Sequence, residues 1–260
     1  MEYGLYLSAA GVQTNSYRQD VIANNIANAE TTGFRRDLAL FQQRRTELSA
    51  TGVAPSRSNA LMEKLGGGVF ASPTLVDRTQ GELEPTGRNL DVAITGQGYF
   101  QTSNGDKMRL TRDGRFQVNH LGHLALAGND NYELLDPKGK PIAVDPTIPP
   151  NIDKEGVVTQ QGKPVGRLAV VDVPDPSQIT KAGATMYAVS DPTQIRQATN
   201  AYLESGYQER ANVEPSSELA NLMDAQRQLE ANANMIRYQD QMLAKVCNEV
   251  GKISYVKAEG

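Results

Sequence analysis

Few residues of this 260-residue chain stand at spacings that could do chemistry, and each admits a plain structural reading. Gly96-Gln97-Gly98 opens like a phosphate-cradling loop, but Gln101 stands where a third glycine is required, and a β-hairpin pattern follows where a helix is needed. His120 and His123, the only histidines, flank Gly122 with no third ligand at a metal-binding spacing, so they read as a solvated turn. Glu82 and Glu84 are two apart, and on a strand they would share a face about 7 Å apart. That is in the range of a glycosidase pair and is equally ordinary for a half-exposed strand. Arg35, Arg36, Arg44 and Arg45 form a basic cluster without interleaved aromatics, which reads as a solvated face or a partner contact. The single cysteine, Cys247, excludes an internal disulfide and a cysteine-based metal cage, and reads as a buried small hydrophobe on a helix. No catalytic, cofactor-binding or metal-ligating set assembles, so the chain is expected to be no enzyme and to carry no cofactor and no metal.

Composition sets the wider bounds. With 39% hydrophobic residues the chain can bury one good core plus smaller elements. Its 26 basic and 30 acidic residues nearly cancel, which argues against a nucleic-acid groove. No apolar run is long enough to cross a membrane, and "MEYGLYLSAAG" lacks the basic start and apolar stretch of a cleaved signal. Neither membrane insertion nor the usual secretory route is expected.

The elements that must position any functional surface divide by period. Leu222, Leu229, Ile236, Leu243 and Val250 recur every seven residues, with Leu219 three before the first, so a narrow apolar seam runs along a C-terminal helix. The seam positions between them are small or polar: Ala225, Gln226, Asn232, Ala233, Gln239 and Asp240. A simple two-stranded zipper would be weak there, and the partner surface must be partly polar. Ser216 and Ser217 supply N-cap chemistry and Gly251 a stop, giving a helix of roughly 50 Å. Leu5, Val12 and Ile26, with Ile22 alongside, repeat the spacing more faintly near the N-terminus. Gly11, in "SAAG", costs about 1 kcal/mol in a helix and marks a face where another helix comes close. From Thr46 to Thr86 the chain is rich in Gly, Ser, Pro and Thr and reads as an extended linker. From Leu90 to about Ser190, alternating pairs such as Leu90/Val92/Ile94 and Phe116/Val118 are separated by turn signals such as Asn104-Gly105 and Asp113-Gly114. They predict a compact antiparallel β domain, with "RLAVVDV", Arg167 to Val173, as its most buried strand.

Three ordered motifs give the chain a resemblance that covers nearly its whole length. "ANNIANAETTGFRR" from Ala23, "LDVAITGQGYFQ" from Leu90 continued by "RDGRFQVNHLGHLAL", and "NVEPSSELANLMDAQRQLEANANMI" from Asn212 are similar to the signatures of flagellar basal-body rod proteins, in the rod and hook family of axial proteins. The resemblance implies an α+β fold with long N- and C-terminal helices paired as a coiled-coil-like arm and a central antiparallel β-rich domain. The expected division is a helix over 1–30 pairing with 212–255, an extended linker or β-hairpin region over 31–89, and the β-rich domain over 90–205. It further implies a structural subunit of the rod. Such a subunit polymerises axially, with itself and with other rod and hook proteins, into a hollow tube that transmits torque and passes exported subunits. The paired helices would line the tube, the β domain would sit outside, and the chain would reach the periplasmic rod through the flagellar export apparatus without a cleaved signal. Two rival readings are a cell-wall hydrolase using Glu82 and Glu84, and a secreted adhesin.

Within the resemblance, subunit contacts are expected at Asn24, Asn25, Ile26, Asn28, Gly33 and Phe34 and along Leu222, Leu229, Ile236, Leu243 and Val250. Asparagine amides carry both donor and acceptor and could bridge neighbouring subunits, or they could only cap and solvate a helix end. Gly33 suits a left-handed turn, and Phe34 can fold back as an apolar latch. "FQQRRTEL", Phe41 to Leu48, replaces the Leu-Leu-Tyr-Gln stretch common in distal rod members and tilts the reading to a proximal-rod type. The length of the Thr46–Thr86 segment pulls the other way. "LESGYQERANV", Leu203 to Val213, is several residues longer than the family's usual join and implies an altered contact loop around Gly206 to Arg210.

Overall fold

The computed structural model describes residues 2–43, 68–198 and 201–256. Arg44, Arg45 and most of the glycine-rich stretch lie outside the described residues, and the side chain of Val250 is likewise outside them. The fold is α+β, with an N-terminal and a C-terminal helix and a central antiparallel β-rich region. It divides into two compact units, one formed by residues 1–26, 37–76 and 215–260, the other by 27–36 and 77–214.

The first unit holds helix α1 (Glu2–Ala27), a ribbon of β1 (Asp37–Gln43) and β2 (Val69–Val76), and helix α2 (Pro215–Val256). Antiparallel pairing joins Asp37 to Val76 and Gln43 to Val69, with one irregularity between Leu38 and Leu40. The ribbon lies on α1, where the Tyr17 hydroxyl donates to the Ser72 carbonyl at 3.2 Å and the Tyr17 ring meets Phe41 edge-on. Helix α2 departs from expectation at both ends. It begins at Pro215, whose missing N–H costs nothing in a first turn, and it runs through Gly251 to Val256, so neither the serine cap nor the glycine stop sets its limits. Cys247 is on this helix but exposed, so it is not the buried small hydrophobe its type predicts.

The second unit holds the remaining strands: β3 (Leu83–Pro85), β4 (Val92–Gly96), β5 (Tyr99–Ser103), β6 (Met108–Thr111), β7 (Phe116–Val118), β8 (Leu124–Leu126), β9 (Asn129–Leu134), β10 (Asn151–Ile152), β11 (Val157–Gln160), β12 (Lys163–Arg167), β13 (Val170–Asp172), β14 (Ile179–Lys181), β15 (Met186–Val189), β16 (Arg196–Gln197), β17 (Ala201–Ser205) and β18 (Tyr207–Glu209). Seven of them run in the order β14-β15-β6-β5-β9-β8-β7, with β13 and β16 attached beside β5. Strands β10 to β12 form a three-stranded sheet, while β17 pairs with β4 and β18 with β3. The core is continuous, with Val92, Ile94, Phe100, Phe116, Leu124 and Leu134 each at most 2% exposed.

Two expectations change here. "RLAVVDV" is not one strand: Arg167 closes β12, Leu168 and Ala169 bridge the gap buried, and Val170 begins β13 in a different sheet. The continuous apolar run from Leu168 to Val171 carries no alternation that fixes its sheet, so periodicity cannot reveal the crossing. The β unit also extends past Ser190, because β17 and β18 return to pair with β4 and β3.

Candidate functional site

The residues singled out for chemistry are dispersed in the structure. Gly96-Gln97-Gly98 joins β4 to β5 as a strand connection, not a phosphate loop. His123 places Nδ1 2.8 Å from Glu133 Oε1 beside the Asn119 turn, and among the described residues no group of side chains is set to hold a metal. Glu84 pairs with Arg210 at 3.1 Å, while Glu82 lies just outside β3 and is exposed, its carbonyl accepting from the Arg210 N–H. The two carboxylates therefore do not frame a site.

What the structure does assemble is a buried junction around the Gly33-Phe34-Arg35-Arg36 stretch. Helix α1 ends at Ala27, and the chain turns through Asn28 to Gly33, with the Thr31 N–H donating to the Asn28 carbonyl at 3.0 Å. Gly33 has φ +70°, and a Cβ there would stand 2.5 Å from the backbone of Arg112 and Asp113, so both conformation and space demand glycine. Its N–H donates to the Glu209 carbonyl at 2.8 Å. Phe34 is buried with Ala29 and Val213, and the Lys181 ammonium lies 4.0 Å from its ring centroid while donating to the Arg35 carbonyl.

Glu209 is the centre of the junction. Its carboxylate takes the Arg35 guanidinium at 2.7 Å, that of Arg112 at 3.1 Å and the Gly81 N–H at 3.0 Å, with all three charged side chains at most 4% exposed. Further guanidinium donors reach carbonyls: Arg35 donates to that of Arg78, and Arg112 through its two terminal nitrogens to those of Ile94 and Gly96. Burial pulls the Arg112 guanidinium below its usual range, and the Glu209 carboxylate opposes that shift. Arg36 is half-exposed and pairs with Asp77 at 2.7 Å. Burial works against the charge on Asp77, but hydrogen bonds from Thr79 and Arg36 outweigh it and hold the carboxyl below its ordinary value. Asn212 closes the arrangement, its Oδ1 accepting from the Arg36 N–H at 2.7 Å and its amide donating to the Asp77 and Thr79 carbonyls. The basic cluster is therefore no solvated face at Arg35, and Glu209, Arg112 and Asn212 are the residues sequence reasoning missed.

In the helical unit, Asn25 is 2% exposed, and both ends of its amide are used on one residue of the same chain. Its Nδ2 donates to the Asp37 carbonyl and its Oδ1 accepts the Asp37 N–H, each at 2.9 Å. That pair satisfies the backbone at the start of β1, where a bridge to another subunit was expected. Gly33 and Phe34 are likewise covered within the chain, whereas Asn24 is exposed and Ile26 and Asn28 are partly so.

The helices meet through their polar line. A Cβ on Gly4 would lie 2.7 Å from Gln239 Nε2, and one on Gly11 2.7 Å from Asn232 Nδ2. The two glycines are seven apart and ascend as Gln239 and Asn232 descend, which is an antiparallel register. Seven and fourteen residues before Asn232 on α2, Ala225 and Glu218 are both buried. Leu222, Leu229, Ile236 and Leu243 lie beside that line and stay half-buried.

Known proteins match along the whole chain. A family model described as flagella basal body rod protein matches residues 5–35, the flagellar hook protein FlgE/F/G D1 domain matches 93–190, and the flagellar basal body rod FlgEFG protein C-terminal region matches 204–248. A flagellar basal-body rod protein FlgF of Caulobacter vibrioides is 32% identical, covering 98% of this chain and 100% of that relative. Rod proteins named FlgG from Buchnera aphidicola and Bacillus subtilis are 31% and 28% identical, over 93% and 94% of this chain and 97% of each relative.

Proposed function

This chain belongs to the flagellar basal-body rod protein family and is a structural subunit of the basal-body rod, not an enzyme; we propose from that premise that its two helices form a coiled-coil-like arm whose leftover apolar line packs against other subunits. The hydrolase and adhesin readings find no support in this family.

One observation carries the proposal. Helix α1 meets α2 at Asn232 and Gln239, the polar line, and leaves Leu222, Leu229, Ile236 and Leu243 only half-covered. A narrow apolar line of that kind gains most of its burial from further packing, which a polymer supplies at each repeat. The proposed contact set is that line together with Asn24, Ile26 and Asn28, continuing toward Val250. Asn25, Gly33 and Phe34 set the path of the chain between the elements and act on contacts through it. The proposed division keeps 1–30 with 212–255 as the arm, 31–89 as the linker and hairpin region, and 90–205 as the β-rich domain.

The chain polymerises with itself and with other rod and hook proteins, lines a hollow tube with its helices, and reaches the periplasmic part of the basal body through the flagellar export apparatus. The "FQQRRTEL" stretch supports a proximal-rod position. Deleting the gene tests the reading: membrane rings should remain while hook and filament are lost, and normal flagella in the deletion strain would overturn it.

A further inference from the structure

Beside the line where α2 meets α1 runs an open groove of about 470 Å³, lined by Gln19 and Ala23 of α1 and by Leu222, Gln226 and Leu229 of α2, with the exposed Asp20 and Glu230 at its mouth. On the opposite side of that line, α2 carries Met235, Tyr238 and Met242, at three- and four-residue steps and 53–62% exposed. Lys245 follows one turn after Met242, also exposed. Helix α1 lies on the line between these two features and cannot cover the stripe.

We propose that the groove over Leu222 and Leu229 receives the Met235–Tyr238–Met242 stripe of a second copy of this chain, an inference that rests on the rod-subunit reading above. Three features on the same chain argue for this occupant. A groove of alanine, leucine and glutamine side chains meets flexible thioethers and a tyrosine ring, which offer both apolar surface and a hydroxyl and adapt to a shallow groove. The acidic mouth at Asp20 and Glu230 matches the basic Lys245 that flanks the stripe. Groove and stripe occupy opposite sides of one rigid helix, displaced by about 18 Å between Gln226 and Tyr238 at 1.5 Å per residue. A copy cannot fill its own groove, and a contact that uses different surfaces on its two members propagates instead of closing as a two-fold dimer.

The test uses full-length chain in isolated basal bodies. In a Cys247→Ser background, Gln226→Cys and Tyr238→Cys are placed on differently tagged copies, and mild oxidation is applied. A mixed disulfide between the two tags is expected, and a ladder of linked copies from the chain carrying both substitutions. Normal incorporation without the adduct, Gln226→Cys linking to itself, or an adduct to a different rod protein overturns the proposal and leaves the rod reading standing. Absence of the unsubstituted chain from basal bodies overturns both. As a second measurement, Met242→Glu should lower the recovered chain about tenfold by facing the acidic mouth. Adding Glu230→Lys should restore it; no recovery from a variant that folds normally counts against the contact.

Discussion

At the residue scale, the most consequential side chain is Glu209, which holds two arginines in a place water does not reach. Removing one partner of such a buried group is costly because the others keep their charge without compensation. Glu209→Gln is nearly isosteric and should lower the stability of the full chain by about 3–5 kcal/mol in urea unfolding; a loss below about 1 kcal/mol would mean the junction is not what closes the β unit. Asn25→Leu raises helix propensity yet strips both backbone groups of Asp37 of their partner, for a predicted loss of about 2–4 kcal/mol from two unmade hydrogen bonds. Unchanged stability in that variant would show that the Asn25 amide does not hold the start of β1. Asp77 adds a pH dependence. Its folded pKa is depressed, so its contribution is complete above the unfolded carboxylate value near about 3.9 and is lost as pH falls through the lower folded value. Wild type and Asp77→Asn should differ in stability at neutral pH and converge in strong acid.

At the element scale, both terminal helices and the β character of the middle were legible in the sequence, because heptad spacing and period-two alternation are local signals that the fold preserves. Which line of α2 would meet α1 was not. The apolar heptad drew attention, but two glycines on α1 allow close approach to the polar one, and that pairing depends on backbone distance and not on hydrophobicity. Arg35 and Glu209 were equally hidden, since a charged residue in "GFRR" or "YQER" looks solvated until a partner 174 positions away is folded against it. The asparagines were recognised as hydrogen-bonding residues, but their partners were beyond reach of spacing arguments. Ile236→Asp tests the element directly. A carboxylate on the leftover apolar line should cost assembly several kcal/mol if buried there, so the variant should be exported with a normal β unit and fail to enter the rod. Normal motility would remove this line from the assembly.

At the scale of the whole molecule, the chain joins a β unit with a continuous core to a helical unit that has little core of its own, and the two should differ in stability. Limited proteolysis of dilute monomer should trim both helices and leave a fragment that ends near Glu214, not near Ser190, since β17 and β18 complete the sheets begun by β4 and β3. Helices that survive intact in dilute monomer would show that the arm is stable before it meets a neighbour. The central claim is that the arm builds the rod. The measurement that addresses it most directly is a map of the isolated basal body sharp enough to trace this chain. Helices α1 and α2 are expected to be paired along the inner wall, with Leu222, Leu229, Ile236 and Leu243 against adjacent subunits and the β unit outside. A rod in which this chain is missing, or in which that line faces water, would contradict it.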